Sequence, residues 1–264
     1  MNLKASLLVL LLTAAQIIYA QQDAVEPLVT DRPDATESPS LVRKNFLQIE
    51  TGGFFTSFDD GSTTVDETTF NTTLLRYGLL DNFELRIGLD YRQTTINDNL
   101  TNQEIDLNGT SPLLIGAKIG IAKGLGWKPK IALLGHLTMP FSAGGDYKPE
   151  HTGMDFRLAF DHTINDRSGL AYNIGARIGD DSSELAYIYT IAYGFDLTST
   201  IGMYVELYGD FPEDSSSNHL WDAGFTYLAN DDLQFDLTVG SSLTAGQDIL
   251  LSAGLSYRIQ DLWK

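Results

Sequence analysis

Charged side chains recur at alternate positions in several stretches of this 264-residue chain. Glu84, Arg86, Asp90 and Arg92 alternate with apolar residues, so a β-strand would place all four on one face. Charges on one face can pair with each other or line a passage for polar solutes. The polar rows of the chain contain the following candidate solute-path residues: Glu50, Arg76, Glu84, Arg86, Asp90, Arg92, Lys118, Asp155, Arg157, Arg177, Glu206, Asp222, Asp236 and Arg258.

Catalytic and metal-binding arrangements find little support in the sequence. The four histidines, His136, His151, His162 and His219, do not have the spacing of metal ligands, so we expect no metal and no cofactor. Serines lie near some of these histidines (Ser142 near His136 or His151, Ser217 near His219), but nothing marks a residue that would orient the histidine. A lipid-modifying barrel enzyme therefore remains a less favoured alternative.

Composition excludes several classes of protein. The formal charge is −18 and lysine and arginine do not cluster, so nucleic acid is not an expected partner. Paired acidic residues such as Asp59-Asp60 lie between the apolar stretches, where solvated loops or contacts to lipopolysaccharide are expected. The chain lacks cysteine, which excludes disulfides and a lipid-modified cysteine. Beyond the N-terminus there is no apolar run of the length that a membrane helix needs.

The N-terminus has the pattern of a secretory signal peptide. Lys4 precedes an apolar run over residues 5–15, and Ile18-Tyr19-Ala20 provides a cleavage site. The sequence thus predicts a cleaved signal peptide at residues 1–20 and an N-terminal segment at 21–43 that is periplasmic or enters a lumen. Residues 44–264 would form a β-barrel.

Apolar and polar residues alternate with period two along most of the mature chain. The pattern predicts twelve strands, near 45–56, 67–78, 83–92, 111–122, 129–139, 152–162, 169–179, 185–195, 201–208, 218–228, 233–240 and 249–259. Short connections alternate with longer polar ones near 57–66, 93–110, 140–151, 211–217 and 241–247, while 180–184 is a short exception. Short turns on one side and long loops on the other are typical of outer-membrane barrels.

The alternation alone leaves open which face is inside, because a soluble sandwich or ligand-binding barrel would bury its apolar rows. Three features favour an apolar exterior: polar rows with charges of both signs, aromatic residues at the ends of apolar rows (Tyr91, Phe160, Phe195 and Tyr227), and a large number of strands. The sequence therefore predicts an all-β fold, a transmembrane antiparallel up-and-down β-barrel of about twelve strands in the bacterial outer membrane.

The last strand resembles the C-terminal signal that outer-membrane barrels present to their assembly machinery. A polar residue, a glycine, an aromatic residue and a terminal apolar residue stand at Ser252, Gly254, Tyr257 and Ile259. The resemblance implies that the barrel-assembly machinery is a partner through these four residues. Five more residues follow Ile259, so the match is not complete.

A second resemblance covers most of the mature chain. The segment T-D-R-P-D-A-T-E-S-P (30–39) is followed by L-Q-I-E-T-G (47–52) and by L-L-R-Y-G-L (74–79), which leads into F-E-L-R (83–86). This order resembles an outer-membrane β-barrel family named for transport in the meta-pathway of phenol degradation. The resemblance implies a barrel that passes small molecules, aromatic compounds included.

The segment Asp31-Arg32-Pro33-Asp34 cannot be a central strand because proline interrupts it. It is either a periplasmic tail or a plug that enters the barrel. In the second case Asp31, Arg32 and Asp34 are the plug candidates, and Arg32 would pair with lumen carboxylates such as Glu50 or Glu84. The sequence predicts a passive, porin-like channel for small solutes. The alternative is a structural or surface-interaction barrel with a plugged lumen, because twelve strands leave a narrow interior.

Overall fold

The computed structural model describes residues 25–182, 184–244 and 246–262. The predicted signal peptide, residues 1–20, lies outside them. Within these residues the chain forms one antiparallel sheet of thirteen strands: β1 (Leu47–Asp59), β2 (Thr63–Leu80), β3 (Phe83–Asp98), β4 (Gln103–Thr110), β5 (Leu113–Leu125), β6 (Lys128–Met139), β7 (Met154–Asn165), β8 (Ser168–Ile178), β9 (Leu185–Asp196), β10 (Ile201–Pro212), β11 (His219–Asn230), β12 (Leu233–Ser242) and β13 (Ile249–Ile259). A single 3₁₀ turn among them, Pro140–Ser142, follows β6.

The sheet closes on itself because its first and last barrel strands pair. β1 pairs with β2 on one side and with β13 on the other, from Leu47 opposite Ile259 to Ser57 opposite Ile249. The remaining barrel strands each pair with the strands that precede and follow them in the chain. The exception is β3, which pairs with β5 through Phe83–Gly88. The second half of β3, from Tyr91 to Asp98, pairs instead with β4, and the two form a hairpin that extends the wall. The described residues therefore form a closed, up-and-down barrel of twelve strands, as predicted.

The predicted loop at 93–110 is wrong. β3 continues to Asp98, and β4 returns from Gln103, so most of this stretch is a hairpin. Its tip is closed by Asp98, whose Oδ1 accepts hydrogen bonds from the backbone N–H groups of Leu100 and Thr101, each at 2.9 Å. The sequence looked like a loop because polar residues such as Thr94, Thr95 and Asn97 occupy both faces of this part of the wall.

The side chains are arranged inside out relative to a soluble protein. The largest fully buried side chains include Arg76, Arg86, Lys118, Glu50 and Glu84. By contrast, apolar side chains on the outer face are exposed, for example Leu237 at 61%. A closed barrel satisfies its backbone hydrogen bonds between strands, so its outer face can contact lipid. Among the described residues, no helix has the length and apolar character needed to cross a membrane.

The barrel has two different ends. The turn end contains the start of β1, the end of β13 and five connections of two to four residues. The loop end contains the β4 hairpin and the longer connections, but its β1–β2 connection has only three residues, so the long connection expected near 57–66 is wrong. Residues 25–46, called the N-terminal segment below, start at the turn end, where the N–H of Leu28 donates to the carbonyl of Asp231 at 2.8 Å. The segment then runs inside the barrel, where Asp31 and Arg32 are buried, and rejoins the wall at Asn45, whose N–H donates to the carbonyl of Gly78.

Candidate functional site: the lumen and its vestibule

Asp31 lies at the centre of a buried charge network. Its Oδ2 is 2.7 Å from Arg86 Nη1, 2.7 Å from Lys118 Nζ and 3.1 Å from Arg76 Nη1. Burial alone would raise the pKa of the Asp31 carboxyl, but the positive charges of Arg76, Lys118 and Arg86 outweigh burial and hold that pKa well below its usual range. Asp31 is therefore ionised and binds the N-terminal segment to three strands of the wall.

The wall carboxylates complete this network. Arg76 contacts Glu50 at 2.7 Å and Glu84 at 2.9 Å, and Arg86 contacts Glu37 at 2.8 Å. These side chains come from β1, β2 and β3 and from the N-terminal segment, on inward-facing strand positions. Buried ions are stable only when they are paired and hydrogen-bonded, so each member depends on the others.

Arg32 occupies a seat on the seam where β1 and β13 close the barrel. Its guanidinium contacts Asp236 at 2.9 Å through Nη2 and 3.2 Å through Nε, and Nη2 donates to Ser252 Oγ at 3.1 Å. Gly52 and Gly254 face each other across the seam, and a Cβ on either residue would overlap this guanidinium. Only glycine fits at these two positions, because the guanidinium lies so close to the backbone. This requirement is independent of any assembly signal.

Arg32 pairs with a carboxylate of the inner face, as expected for a plug, but that carboxylate is Asp236 and not Glu50 or Glu84, the two examples given for it. Glu50 and Glu84 are instead bound by Arg76. Register explains the difference, since a charge pattern shows which residues face inward but not which of them lie at the same height.

Beyond Arg32 the N-terminal segment crosses the lumen towards β8, β9 and β10. The N–H of Ala35 donates to Glu206 Oε2 at 2.7 Å, and the hydroxyl of Thr36 donates to the same carboxylate. Asn173 binds the backbone of Glu37 at two points, accepting from its N–H at 2.8 Å and donating to its carbonyl at 2.9 Å. These bonds hold the segment against the wall opposite the seam.

Asp34 lies beside Glu206 in this crossing. Burial, followed by the negative charge of Glu206, raises the pKa of the Asp34 carboxyl well above its usual range. A protonated Asp34 would be able to donate a hydrogen bond to a neighbouring oxygen.

A cavity of about 950 Å³, called the vestibule below, opens at the loop end. Its polar wall is held by ion pairs: Arg92 with Glu67 at 2.6 Å, Arg157 with Asp155 at 2.9 Å, and Arg177 with Asp210. Glu37 of the N-terminal segment and Arg86 lie at its floor. A second cavity of about 180 Å³ lies towards the turn end and is lined by Thr36, Ser38 and Tyr204 among others. The N-terminal segment lies between the two cavities.

The structure thus places the predicted residues in several distinct groups. Glu50, Arg76, Glu84, Arg86 and Lys118 gather around Asp31. The remaining candidates lie elsewhere on the inner face: Asp236 at the seam, Glu206 and the buried Asp222 on β10 and β11, Asp90, Arg92, Asp155, Arg157 and Arg177 around the vestibule, and Arg258 at the turn end, 2.7 Å from Asp232.

Some residues of the site were not singled out from the sequence. Glu37 and Thr36 were within the quoted segment but gave no sign of their partners, which are distant in sequence. Asn173 follows the alternation of β8, and His136 follows that of β6, so both could have been assigned to the inner face. Neutral polar residues such as these lack the alternating charge that marks the other residues of the inner face.

Neither a metal centre nor a Ser–His pair emerges from the described part of the chain. No group of three or more His, Asp or Glu residues there is arranged to hold a metal ion. Ser142 Oγ donates to the carbonyl of Met139 at 2.6 Å and accepts from the N–H of Leu113 at 2.7 Å, so this hydroxyl serves the loop structure. His219 Nδ1 contacts the hydroxyl of Tyr189 at 3.0 Å.

A closed barrel with an apolar exterior and a charged lumen defines a transmembrane β-barrel of the bacterial outer membrane. The particular family follows from the sequence: residues 30–259 match the family described as "Putative MetA-pathway of phenol degradation", and the chain belongs to that family. No curated protein matches the sequence significantly.

Solved structures show the same fold. An outer membrane channel from Pseudomonas putida F1 is similar with a TM-score of 0.64 at 10% identity, over 86% of this chain and 100% of that chain. The translocator domain of the autotransporter NalP from Neisseria meningitidis is similar with a TM-score of 0.50 at 10% identity, over 97% of this chain and 98% of that one. The NanC porin is similar with a TM-score of 0.50 at 10% identity, over 81% and 100% of the two chains. At these identities the similarity establishes the fold alone.

Proposed function

We propose that this protein is a passive channel for small solutes, aromatic compounds included, across the outer membrane. The observation that carries the proposal is the pair of cavities inside a closed barrel, one of about 950 Å³ at the loop end and one of about 180 Å³ towards the turn end. The lining of the vestibule combines charges with apolar groups such as Phe54 and Leu114, which suits a small amphipathic solute. The family's name, which refers to phenol degradation, supports the choice of solute class.

The N-terminal segment is the constriction of this channel. It crosses the lumen between the cavities and is bound to the wall through Asp31, Arg32, Ala35, Thr36 and Glu37. The predicted division of the chain into a signal peptide (1–20), a lumen-entering segment and a barrel is part of the proposal. Of the predicted solute-path residues, we assign those in the network around Asp31 to structure and those around the vestibule to contact with solutes.

Removing the constriction tests the proposal. We expect deletion of residues 25–40 to raise the single-channel conductance in planar bilayers several-fold, because conductance grows with the narrowest cross-section of a water-filled pore. The intact protein should show a small but measurable conductance. A matched control is Asp60→Asn, which changes one charge in the β1–β2 turn at the loop end, outside the lumen.

Two outcomes would contradict the proposal. An intact protein without conductance, combined with a deletion variant that conducts, would favour the alternative of a structural barrel with a plugged lumen. A deletion variant whose conductance equals that of the intact protein would show that the segment does not constrict the pore. Uptake of phenol by cells with and without the gene then tests the solute class.

Two further roles belong to the same proposal. The protein is not an enzyme: purified protein should not hydrolyse phospholipid, and hydrolysis that is lost in His136→Phe or His219→Phe would overturn this. The barrel-assembly machinery recognises the last strand through Ser252, Gly254, Tyr257 and Ile259, and the outer loops contact lipopolysaccharide. Tyr257→Ala, an exposed change on the outer face, should lower the amount of barrel in the outer membrane if that recognition is correct.

A further inference from the structure

Two buried polar atoms at the floor of the vestibule have no hydrogen-bond partner within the described part of the chain. They are Nε of Arg86, which is 1% exposed, and Nε2 of His136, which is 8% exposed. Both residues line the vestibule. A buried polar group without a partner is unfavourable, so a group that satisfies both atoms would be stabilised at this place.

The sheet register places these two residues in one row, on either side of a glycine. Arg86 on β3 lies opposite Gly116 on β5, and Gly116 lies opposite His136 on β6, so all three share one inward-facing row. A Cβ on Gly116 would overlap the His136 ring, which means that the imidazole lies over the glycine and leans towards Arg86. Arg86 and His136 are two strand spacings apart, about 10 Å. Because Gly116 has no side chain, the His136 ring lies over it, roughly one strand spacing from Arg86.

The chemistry of the two atoms selects a hydroxyl group. The Nε–H of Arg86 can only donate, whereas Nε2 of a neutral histidine can accept. A hydroxyl oxygen that accepts from Arg86 and donates its proton to His136 satisfies both atoms at once. An ether or ketone would satisfy only the donor, and an unsubstituted aromatic ring would satisfy neither.

The surrounding charges favour an uncharged molecule. Among the described residues, seven carboxylates and four arginines line the vestibule, so its field repels anions. Deeper in the vestibule, the positive charges of Arg86, Arg157 and Lys118 act on His136 against the negative charge of Asp155, which disfavours a cation at this point. We therefore propose that Arg86 Nε, His136 Nε2 and the notch at Gly116 form a binding subsite for a neutral, hydroxyl-bearing solute, of which phenol is the simplest aromatic example. The proposal rests on the proposed function and specifies the solute class of that channel.

Nitrogen NMR of the imidazoles tests the subsite, since the chain has only four histidines. Protein labelled with ¹⁵N-histidine in nanodiscs is titrated with phenol, benzene and benzoate, and His136→Phe assigns the His136 signal. We expect phenol to shift the Nε2 signal of His136 saturably. The affinity for benzoate should be lower by about tenfold or more, because a carboxylate has no proton to donate to His136 and so loses one well-placed hydrogen bond.

The controls are internal to the same experiment. His162, whose Nε2 contacts the hydroxyl of Tyr172 at 3.4 Å near the turn end, reports general partitioning of the ring into lipid and should not shift saturably. Gly116→Ala should weaken phenol binding by displacing His136, whereas Gly194→Ala, where a Cβ would meet open space, should not. Retained heat-modifiable migration on gels establishes that each variant has folded.

A benzene shift at His136 as large as the phenol shift, or no saturable phenol shift in the intact protein, would overturn the subsite. The result also separates the subsite from the channel. Conductance without phenol binding would contradict only the proposed subsite. Phenol binding without conductance would contradict only the proposed channel function.

Discussion

Asp31 shows how much of this molecule depends on single side chains. It joins Arg76, Arg86 and Lys118, which come from different strands, to one point of the N-terminal segment. Removing one partner of a buried ion pair costs about 3–5 kcal/mol because the remaining charges stay buried. The sequence allowed the inward orientation of these charges to be predicted from their alternation, but not their pairing, which depends on strand register.

Gly254 gives the sharpest prediction at the scale of one residue. Gly254→Ala should displace the Arg32 guanidinium and break its contact with Asp236, because the added Cβ would overlap the guanidinium. We expect a loss of about 1–3 kcal/mol in stability, as for other overpacked sites, together with a higher single-channel conductance. Gly194→Ala, whose added Cβ would have no neighbour within 4 Å, is the control for stability alone, because Gly194 lines the cavity towards the turn end. A Gly254→Ala protein with the conductance of the intact protein and the unfolding midpoint of Gly194→Ala would contradict the assigned role of Arg32 as an anchor.

The strands differ in how far they extend. β2 has 18 residues and β3 has 16, whereas β12 has 10. At about 3.3 Å per residue, β2 is roughly 60 Å long, well beyond the apolar band of about 25 Å. With β4, these strands form a wall that rises on one side of the loop end. The sequence located the twelve barrel strands, since one face had to be apolar, but it missed β4, because outside the lipid neither face has to be apolar.

Glu184 links two loops at the opposite side of this end. Its Oε2 accepts from the hydroxyl of Ser215 at 2.6 Å, and Oε1 accepts from the N–H groups of Asp214 and Ser215. The Ser215 hydroxyl, followed by the Asp214 N–H, lowers the pKa of Glu184 from its usual value of 4.5. Because the folded-state pKa is lowered, the link is fully present above pH 4.5 and is lost as the pH falls through the lowered pKa.

Hydrogen exchange checks this link directly. The protection factors of the Asp214 and Ser215 amides, corrected for the intrinsic pH dependence of exchange, should be constant at neutral pH and fall below pH 4.5. Glu184→Gln should show the lower protection already at pH 7, since a neutral amide is a weaker acceptor. Asp181→Asn, in the same loop, is the control. Unchanged protection in Glu184→Gln would show that the two loops are held by other contacts.

The whole molecule combines a generic wall with a specific interior. Membership of the barrel class follows from alternation and loop lengths alone, because lipid imposes them on every such protein. The interior is not determined in this way. The crossing of the lumen by the N-terminal segment depends on pairs such as Thr36 with Glu206 and Arg32 with Asp236, which are 170 and 204 residues apart in sequence. No local pattern specifies pairs at such a distance.

Net charge in the vestibule predicts the ion selectivity of the molecule. Of the described residues, seven carboxylates against four arginines line it, so potassium should permeate about two- to fivefold better than chloride at low salt. Reversal potentials in a potassium chloride gradient measure this ratio. Raising the salt should reduce it, because screening shortens the range of the field. A preference for chloride would mean that the arginines, not the carboxylates, control the current.

The seat of Arg32 has a consequence for how the protein is made. Its two glycines belong to the first and the last strand, Gly52 on β1 and Gly254 on β13, and Ser252 of the last strand completes it. The seat therefore does not exist while the polypeptide is still being synthesised or while the sheet is open. The arginine can dock only after both extremities of the sheet have met, so a stably inserted N-terminal segment marks a finished cylinder.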